Sequence, residues 1–235
     1  MIISHRHRFI FLKTRKTAGT SIELALGRVC GENDVITPVT DEDERKRREL
    51  GVRGPQNFHL PPRRWKARDC AYWLPKFKRP QFWNHVGAAW VRDHVDAEIW
   101  NGYFKFCFER NPFDKAISRY FWNAREPRPP IGDYLKTVSR QRLSDWEIYT
   151  LDDQIAVDFV GRYENLSEDL ARVAEKIGLG EELQLPRAKG GYRTDRQHPS
   201  QVLDAESRAL IERVCAREIS AFGYEWQDVD ANSAL

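Results

Sequence analysis

Residues 9–21 read Phe-Ile-Phe-Leu-Lys-Thr-Arg-Lys-Thr-Ala-Gly-Thr-Ser. An apolar strand runs into a short basic loop with one glycine, Gly19, and the loop opens into an amphipathic helix, Ser21-Ile22-Glu23-Leu24-Ala25-Leu26. The first N–H groups of a helix have no intrahelical acceptor, and the helix dipole adds partial positive charge at the same end. Together with the hydroxyls of Thr20 and Ser21 and the charge of Lys16, this junction is an anion cradle suited to a phosphate or sulfate. It is not a Walker A loop, in which lysine directly follows the second glycine of G-x-x-x-x-G-K-[ST]. Here the lysine precedes a single glycine, so its charge reaches the anion from the strand side. That argues against an ordinary nucleoside triphosphatase. Taken alone, the segment also reads as a plain strand–turn–helix with surface lysines.

A chain of 235 residues suits one large domain, 1–235, and 41% hydrophobic residues with eight Trp suffice for its core. The net charge of +3 provides no overall field for nucleic acid. No apolar run approaches the roughly 18 residues of a membrane span. Because Met1 is followed almost at once by a strand, the sequence predicts neither leader nor anchor, and a cytoplasmic protein. Cys30, Cys70, Cys107 and Cys215 are scattered and form no cluster with histidine, so neither zinc nor a disulfide framework is expected. Cys107 reads as a small buried hydrophobe.

Along the chain, 9–12 reads as a strand and 20–29 as a helix. The run Asp41-Glu-Asp-Glu-Arg-Lys-Arg-Arg-Glu49 reads as a solvated loop or helix end. An irregular insertion, about 41–82, carries basic residues from Arg63 to Arg79 among Trp65, Tyr72, Trp73 and Phe77. It reads equally as a contact for an anionic or sugar-like acceptor and as a packed surface excursion. Helical periodicity is expected over 86–100, 145–158, 166–177 and 204–222, and strands over 103–108 and 159–163. Strands alternating with helices predict an α/β domain with a mainly parallel central sheet flanked by helices.

Residues 104–122 repeat the logic of the first loop. A strand ends in Arg110, and a helix begins at Asn111-Pro112, with Asn111 as N-cap and Pro112 in the first turn. The Arg110 fork suits a phosphate, with Ser118 further along the helix. A structural pairing of Arg110 with Asp114 is the alternative.

Lys16-Thr17-Ala18-Gly19-Thr20-Ser21 resembles the 5′-phosphosulfate loop of sulfotransferases that use 3′-phosphoadenosine-5′-phosphosulfate (PAPS). Arg110-Asn111-Pro112-Phe113-Asp114-Lys115-Ala116-Ile117-Ser118-Arg119-Tyr120 resembles their 3′-phosphate motif. The pattern is most similar to the carbohydrate-type and bacterial family-2 branch. Asn84-His85, Gly161 to Leu166 and Phe222 to Trp226 add weaker matches, and the resemblance spans roughly 8–226. Two positions depart from it: Arg15, where many members have proline, and Lys115 for the commoner arginine, a change of little weight on an exposed helix turn.

The resemblance implies a P-loop-kinase-like sulfotransferase fold that transfers a sulfuryl group from PAPS, without a metal, to a hydroxyl or amine of an acceptor, expected to be a carbohydrate. It implies that Lys16, Thr17, Ala18, Gly19, Thr20 and Ser21 hold the phosphosulfate, and that Arg110 and Ser118 hold the 3′-phosphate. Lys189 and Arg193, in a basic glycine-rich turn, would close over the nucleotide, with Arg162 supporting it or pairing with Glu164. Lys16 would neutralise charge on the leaving oxygen. His85 is the expected base and His59 the second choice, ahead of Glu23 or Glu109. A small-molecule kinase of related fold and a non-catalytic binder of anionic polymers are the competing readings.

Overall fold

The computed structural model describes residues 1–76, 78–179, 183–186 and 197–228. Among the described residues seven strands form: β1 Ile2–Ser4, β2 Phe9–Phe11, β3 Val35–Ile36, β4 Phe104–Glu109, β5 Thr150–Leu151, β6 Gln154–Ile155 and β7 Phe159–Arg162. Five of them make the central sheet in the order β3-β1-β2-β4-β7, and β5 and β6 form a separate hairpin.

The α/β architecture is as expected, but the sheet is mixed, not mainly parallel. β2 pairs with β4, and β4 with β7, in parallel; β1 runs antiparallel to both β2 and β3. Only residues 5–8 join β1 to β2, too short a link for the crossover that a parallel pair requires. Three-residue strands lack the length for a readable alternation, so β1 escapes the sequence periodicity.

Alternation along β2 sorts its side chains to two faces. Phe9 and Phe11 join Phe106 and Phe108 of β4 against Ile22 and Leu26 of the helix Gly19–Gly27 and Leu170 and Val173 of the helix Leu166–Lys176. Ile10, Leu12 and the fully buried Cys107 face Val86, Val91 and Trp100 on the other side. Each such buried side chain contributes about 1.5–3 kcal/mol. On β7, Gly161 admits the Phe108 ring, because a Cβ there would lie 2.5 Å from Phe108 Cε1.

Several elements differ from expectation. The run 41–49 is a helix, Asp41–Glu49, capped by the Thr40 hydroxyl, and its Asp43 and Arg47 are buried. The 86–100 stretch breaks into Ala88–His94 and Ala97–Gly102, with extended Val95 and Asp96 between them. The expected 145–158 helix shortens to Trp146–Tyr149 before the β5–β6 hairpin, and the last helix divides at Cys215. The insertion is packed: Leu60 and Phe82 are core residues, with Phe58 and Trp65 against them. Among the described residues, no helix is long and apolar enough to cross a membrane.

Candidate active site

The loops after β2 and β4 leave the carboxyl ends of adjacent parallel strands, where α/β sheets open their ligand crevice. The first loop takes left-handed backbone at Lys16 (φ 63°) and Ala18 (φ 59°), which turns the chain sharply into the helix Gly19–Gly27. Among the described residues no side chain caps this helix; its first turn holds no acidic residue, and its first internal bond runs from Ile22 N–H to Ala18 O. The N–H groups of Gly19, Thr20 and Ser21 therefore precede the intrahelical ladder and suit an anion.

The loop side chains divide. Thr17 is turned inward, its Oγ1 2.9 Å from Thr14 Oγ1, so its hydroxyl belongs to the scaffold; Thr14 in turn donates to Phe108 O. Lys16 is half-buried, with Nζ 4.6 Å from the Trp122 ring centroid. Arg15, where proline is commoner, is held by Asp145: its N–H lies 2.7 Å from Asp145 Oδ2, and its guanidinium pairs with the same carboxylate. A buried acid thus stiffens the turn in place of a pyrrolidine ring.

Arg110 joins the two motifs. Its Nη1 donates to Lys16 O at 3.0 Å, Nε to Asp114 Oδ2 at 2.7 Å, and Nη2 to the same oxygen; its guanidinium lies 4.0 Å from the Tyr163 ring centroid. The pairing with Asp114 therefore exists beside the contact with the first loop. Guanidinium offers five N–H donors, so two remain after these contacts. Asn111 caps the helix Pro112–Asn123 through Phe113 N–H. Ser118 lies one turn beyond Asp114 on that helix and is half-buried. This i, i+4 spacing sets Asp114 and Ser118 on one face, beside Arg110.

Lys115 corrects an expectation. It is buried, not on an exposed turn, with Nζ 2.6 Å from Glu109 Oε1 and 2.8 Å from Asp145 Oδ2. Burial raises the Glu109 carboxyl to about 7, with the Asp145 charge adding to the effect and Lys115 opposing it. Burial would lower the Lys115 ammonium, but the two carboxylates outweigh it and hold the group well above the usual lysine range. Asp145 thereby links the helix of the second motif to Arg15 of the first.

His85 sits against the first loop, with Nδ1 2.9 Å from Lys13 O. A carbonyl only accepts, so Nδ1 carries the proton and Nε2 keeps the lone pair. Burial and then the Lys13 charge, with Arg15 adding, lower the imidazole to about 4 despite the opposing carbonyl bond. At neutral pH it is an uncharged base. The other histidines have different settings. His59 is exposed, bridged to Gln81 and in contact with the Phe58 ring. His94 is buried between Trp90 O and Asp69, His198 caps the helix Pro199–Val202, and His5 meets the Tyr103 hydroxyl. Glu23 is fully buried and Glu109 is walled in by Lys115, so neither faces an acceptor. Arg162 bonds Phe222 O, whereas Glu164 receives Asn111 N–H. Lys189 and Arg193 lie outside the described residues. Among the described residues, no group of His, Cys, Asp and Glu could hold a metal ion.

Lys13, Lys115 and Asp145 were not singled out by sequence patterns as parts of the site. Each acts through a partner at least six residues away, Glu23, Glu109 and Arg15 respectively, and no local spacing signals such a pair. A cavity of about 270 Å³ lies to one side, lined by Asn111, Arg162, Glu164, Tyr224 and Trp226 among others. It meets the second motif only through Asn111 and Phe113.

The α/β sheet brings an uncapped helix start and a buried guanidinium to adjacent strand ends, an arrangement suited to an anionic group. This chain belongs to the Sulfotransferase family, a family of transferases, whose pattern matches residues 1–225. It is also similar to a protein of Archaeoglobus fulgidus described only as uncharacterized, with 40% identity over 102 residues, 40% of this chain and 85% of that protein. No solved structure matches.

Proposed function

We propose that this protein is a PAPS-dependent sulfotransferase acting on a hydroxyl of a carbohydrate acceptor, with the P-loop-kinase-like version of the α/β fold. The observation that carries the reading is the 3.0 Å bond from Arg110 Nη1 to Lys16 O, which holds the two anion motifs side by side. A ligand with phosphates at both ends matches that pair of sites. The uncapped N–H groups of Gly19, Thr20 and Ser21 fit a phosphosulfate, and the donors of Arg110 that remain, with Ser118, fit a 3′-phosphate.

PAPS supplies a sulfuryl group on a phosphate leaving group. The chain supplies position and charge. Lys16 stabilises the oxygen from which sulfur departs, and His85 Nε2 takes the proton of the acceptor hydroxyl as its oxygen bonds to sulfur. Transferring sulfuryl carries less charge than phosphoryl, which lowers the demand for a metal. Lys189 and Arg193 are proposed to close over the nucleotide. The lysine position before Gly19 favours this reading over a kinase.

The test is incubation with sulfur-labelled PAPS and a panel of carbohydrate, phenol, lipid and peptide hydroxyl acceptors, beside γ-labelled ATP. Label transferred from PAPS to a sugar hydroxyl supports the proposal. Transfer only from ATP refutes it.

A further inference from the structure

Lys13 is the residue that leads from β2 into the basic loop, and it is buried. Its carbonyl holds the His85 ring, while its ammonium reaches the helix Gly19–Gly27. Lys13 Nζ lies 2.6 Å from Glu23 Oε2 and 3.2 Å from Thr20 Oγ1. The stem between them runs directly beneath Gly19, where a Cβ would meet Lys13 Cγ at 2.7 Å and Cε at 3.0 Å. Gly19 is thus glycine to let the lysine through.

The chemistry of the contact has a direction. A threonine hydroxyl can donate or accept, but an ammonium has only donors. At the Lys13–Thr20 contact the hydroxyl oxygen must accept, so its proton is turned elsewhere. Among the described residues no acceptor takes that proton, and Thr20 is 8% exposed. That leaves it available to a bound group, at the helix turn where the N–H groups of Gly19, Thr20 and Ser21 also have no acceptor among the described residues.

We propose that Lys13 is a positioning residue that makes Thr20 an obligate hydrogen-bond donor to the anion in the loop, with Glu23 and Gly19 holding Lys13 in place. This rests on the donor-binding reading above and deepens it. Glu23 also pairs with the Met1 amino group through Oε1 and has Arg47 at 3.9 Å, so replacing Lys13 does not strip the carboxylate of all positive neighbours.

The test is a double-mutant cycle on the affinity for desulfated donor (PAP), read by calorimetry, using Lys13→Met, Thr20→Val and the double variant. Lys13→Met should weaken PAP about tenfold, some 1.4 kcal/mol. Thr20→Val should weaken it by a similar factor, and the double variant no further. Lys13→Met should also raise the KM for donor while leaving that for the acceptor unchanged. If Lys13→Met does not fold, Lys13→Met with Glu23→Gln removes both buried charges, and the cycle with Thr20→Val is run on that background. A lysine with a purely structural role lowers Tm and weakens PAP by one factor in both Thr20 backgrounds, or leaves PAP binding unchanged. Either outcome overturns the inference while the donor reading stands. Absence of PAP binding by the wild-type protein overturns both.

Discussion

His85 Nδ1 lies 2.9 Å from the carbonyl oxygen of Lys13, so the imidazole is tied by its protonated nitrogen to the residue that leads into the basic loop. The tie fixes the tautomer and leaves the lone pair on Nε2, the atom proposed as the base. His85→Ala is expected to lower kcat by roughly 10²–10⁴-fold while leaving PAP affinity nearly unchanged. Steady-state kinetics beside a PAP titration checks both. A fully active variant would transfer the role to His59.

The pH profile follows from the same geometry. Burial and the Lys13 charge lower His85 to about 4 in the free protein, so its basic form is present above that pH. The acid limb of kcat/KM, which reports free enzyme, is expected near pH 4. The limb of kcat is expected higher, because a bound anion offsets the charges of Lys13 and Arg15. A kcat/KM limb near 6.5, the value of an unperturbed histidine, would contradict this assignment.

Arg110→Ala removes the 3.0 Å bond to Lys16 O as well as the guanidinium proposed to hold the 3′-phosphate. PAP affinity is expected to fall at least about tenfold, more than for His85→Ala. Arg110→Lys is expected to fall almost as far, because a single ammonium cannot reach Asp114 and Lys16 O in a fork. Calorimetric titration of the three variants ranks them.

Lys115 stands between two buried carboxylates, Glu109 and Asp145. Lys115→Met leaves them facing each other without their shared cation, at an expected cost of about 3–5 kcal/mol in stability. Lys46→Met, which breaks the surface pair with Glu42, is the control and should leave the denaturation midpoint unchanged. Urea denaturation of both variants makes the comparison.

Gly19→Ala drives a methyl into the Lys13 stem. Overpacking of this kind costs about 1–3 kcal/mol. Because the flexible stem can give way, the expected signature is a loss of PAP affinity larger than the loss of Tm would suggest. Gly54→Ala, where an added Cβ meets nothing within 4 Å, serves as the comparison.

The parts of the site visible in the sequence are those encoded by local order. Strand, basic loop and helix follow one another over 9–27, and Arg110, Asn111 and Pro112 mark a strand end and a helix start by their own chemistry. His85 became a candidate through a resemblance, and the structure sets its ring against the loop. What stayed hidden is non-local or too short. β1 and β3 span three and two residues, so the reversed strand that makes the sheet mixed left no periodic trace. Arg47 and Lys115 look like surface charges by composition, yet are buried: Arg47 pairs with Glu44 one turn away and lies 3.9 Å from Glu23, and Lys115 meets Glu109 at the end of the preceding strand and Asp145 from a distant segment. Thr17 lies within the motif, but its hydroxyl is spent on Thr14.

Thermal unfolding of the wild-type protein with PAP, with ATP and without ligand most directly tests whether the paired anion motifs hold the nucleotide of a sulfuryl donor. PAP at 100–1,000 times its dissociation constant should stabilise the fold by roughly 3–4 kcal/mol, with a matching rise in Tm, while ATP at the same concentration does little. Stabilisation by ATP and none by PAP would contradict it.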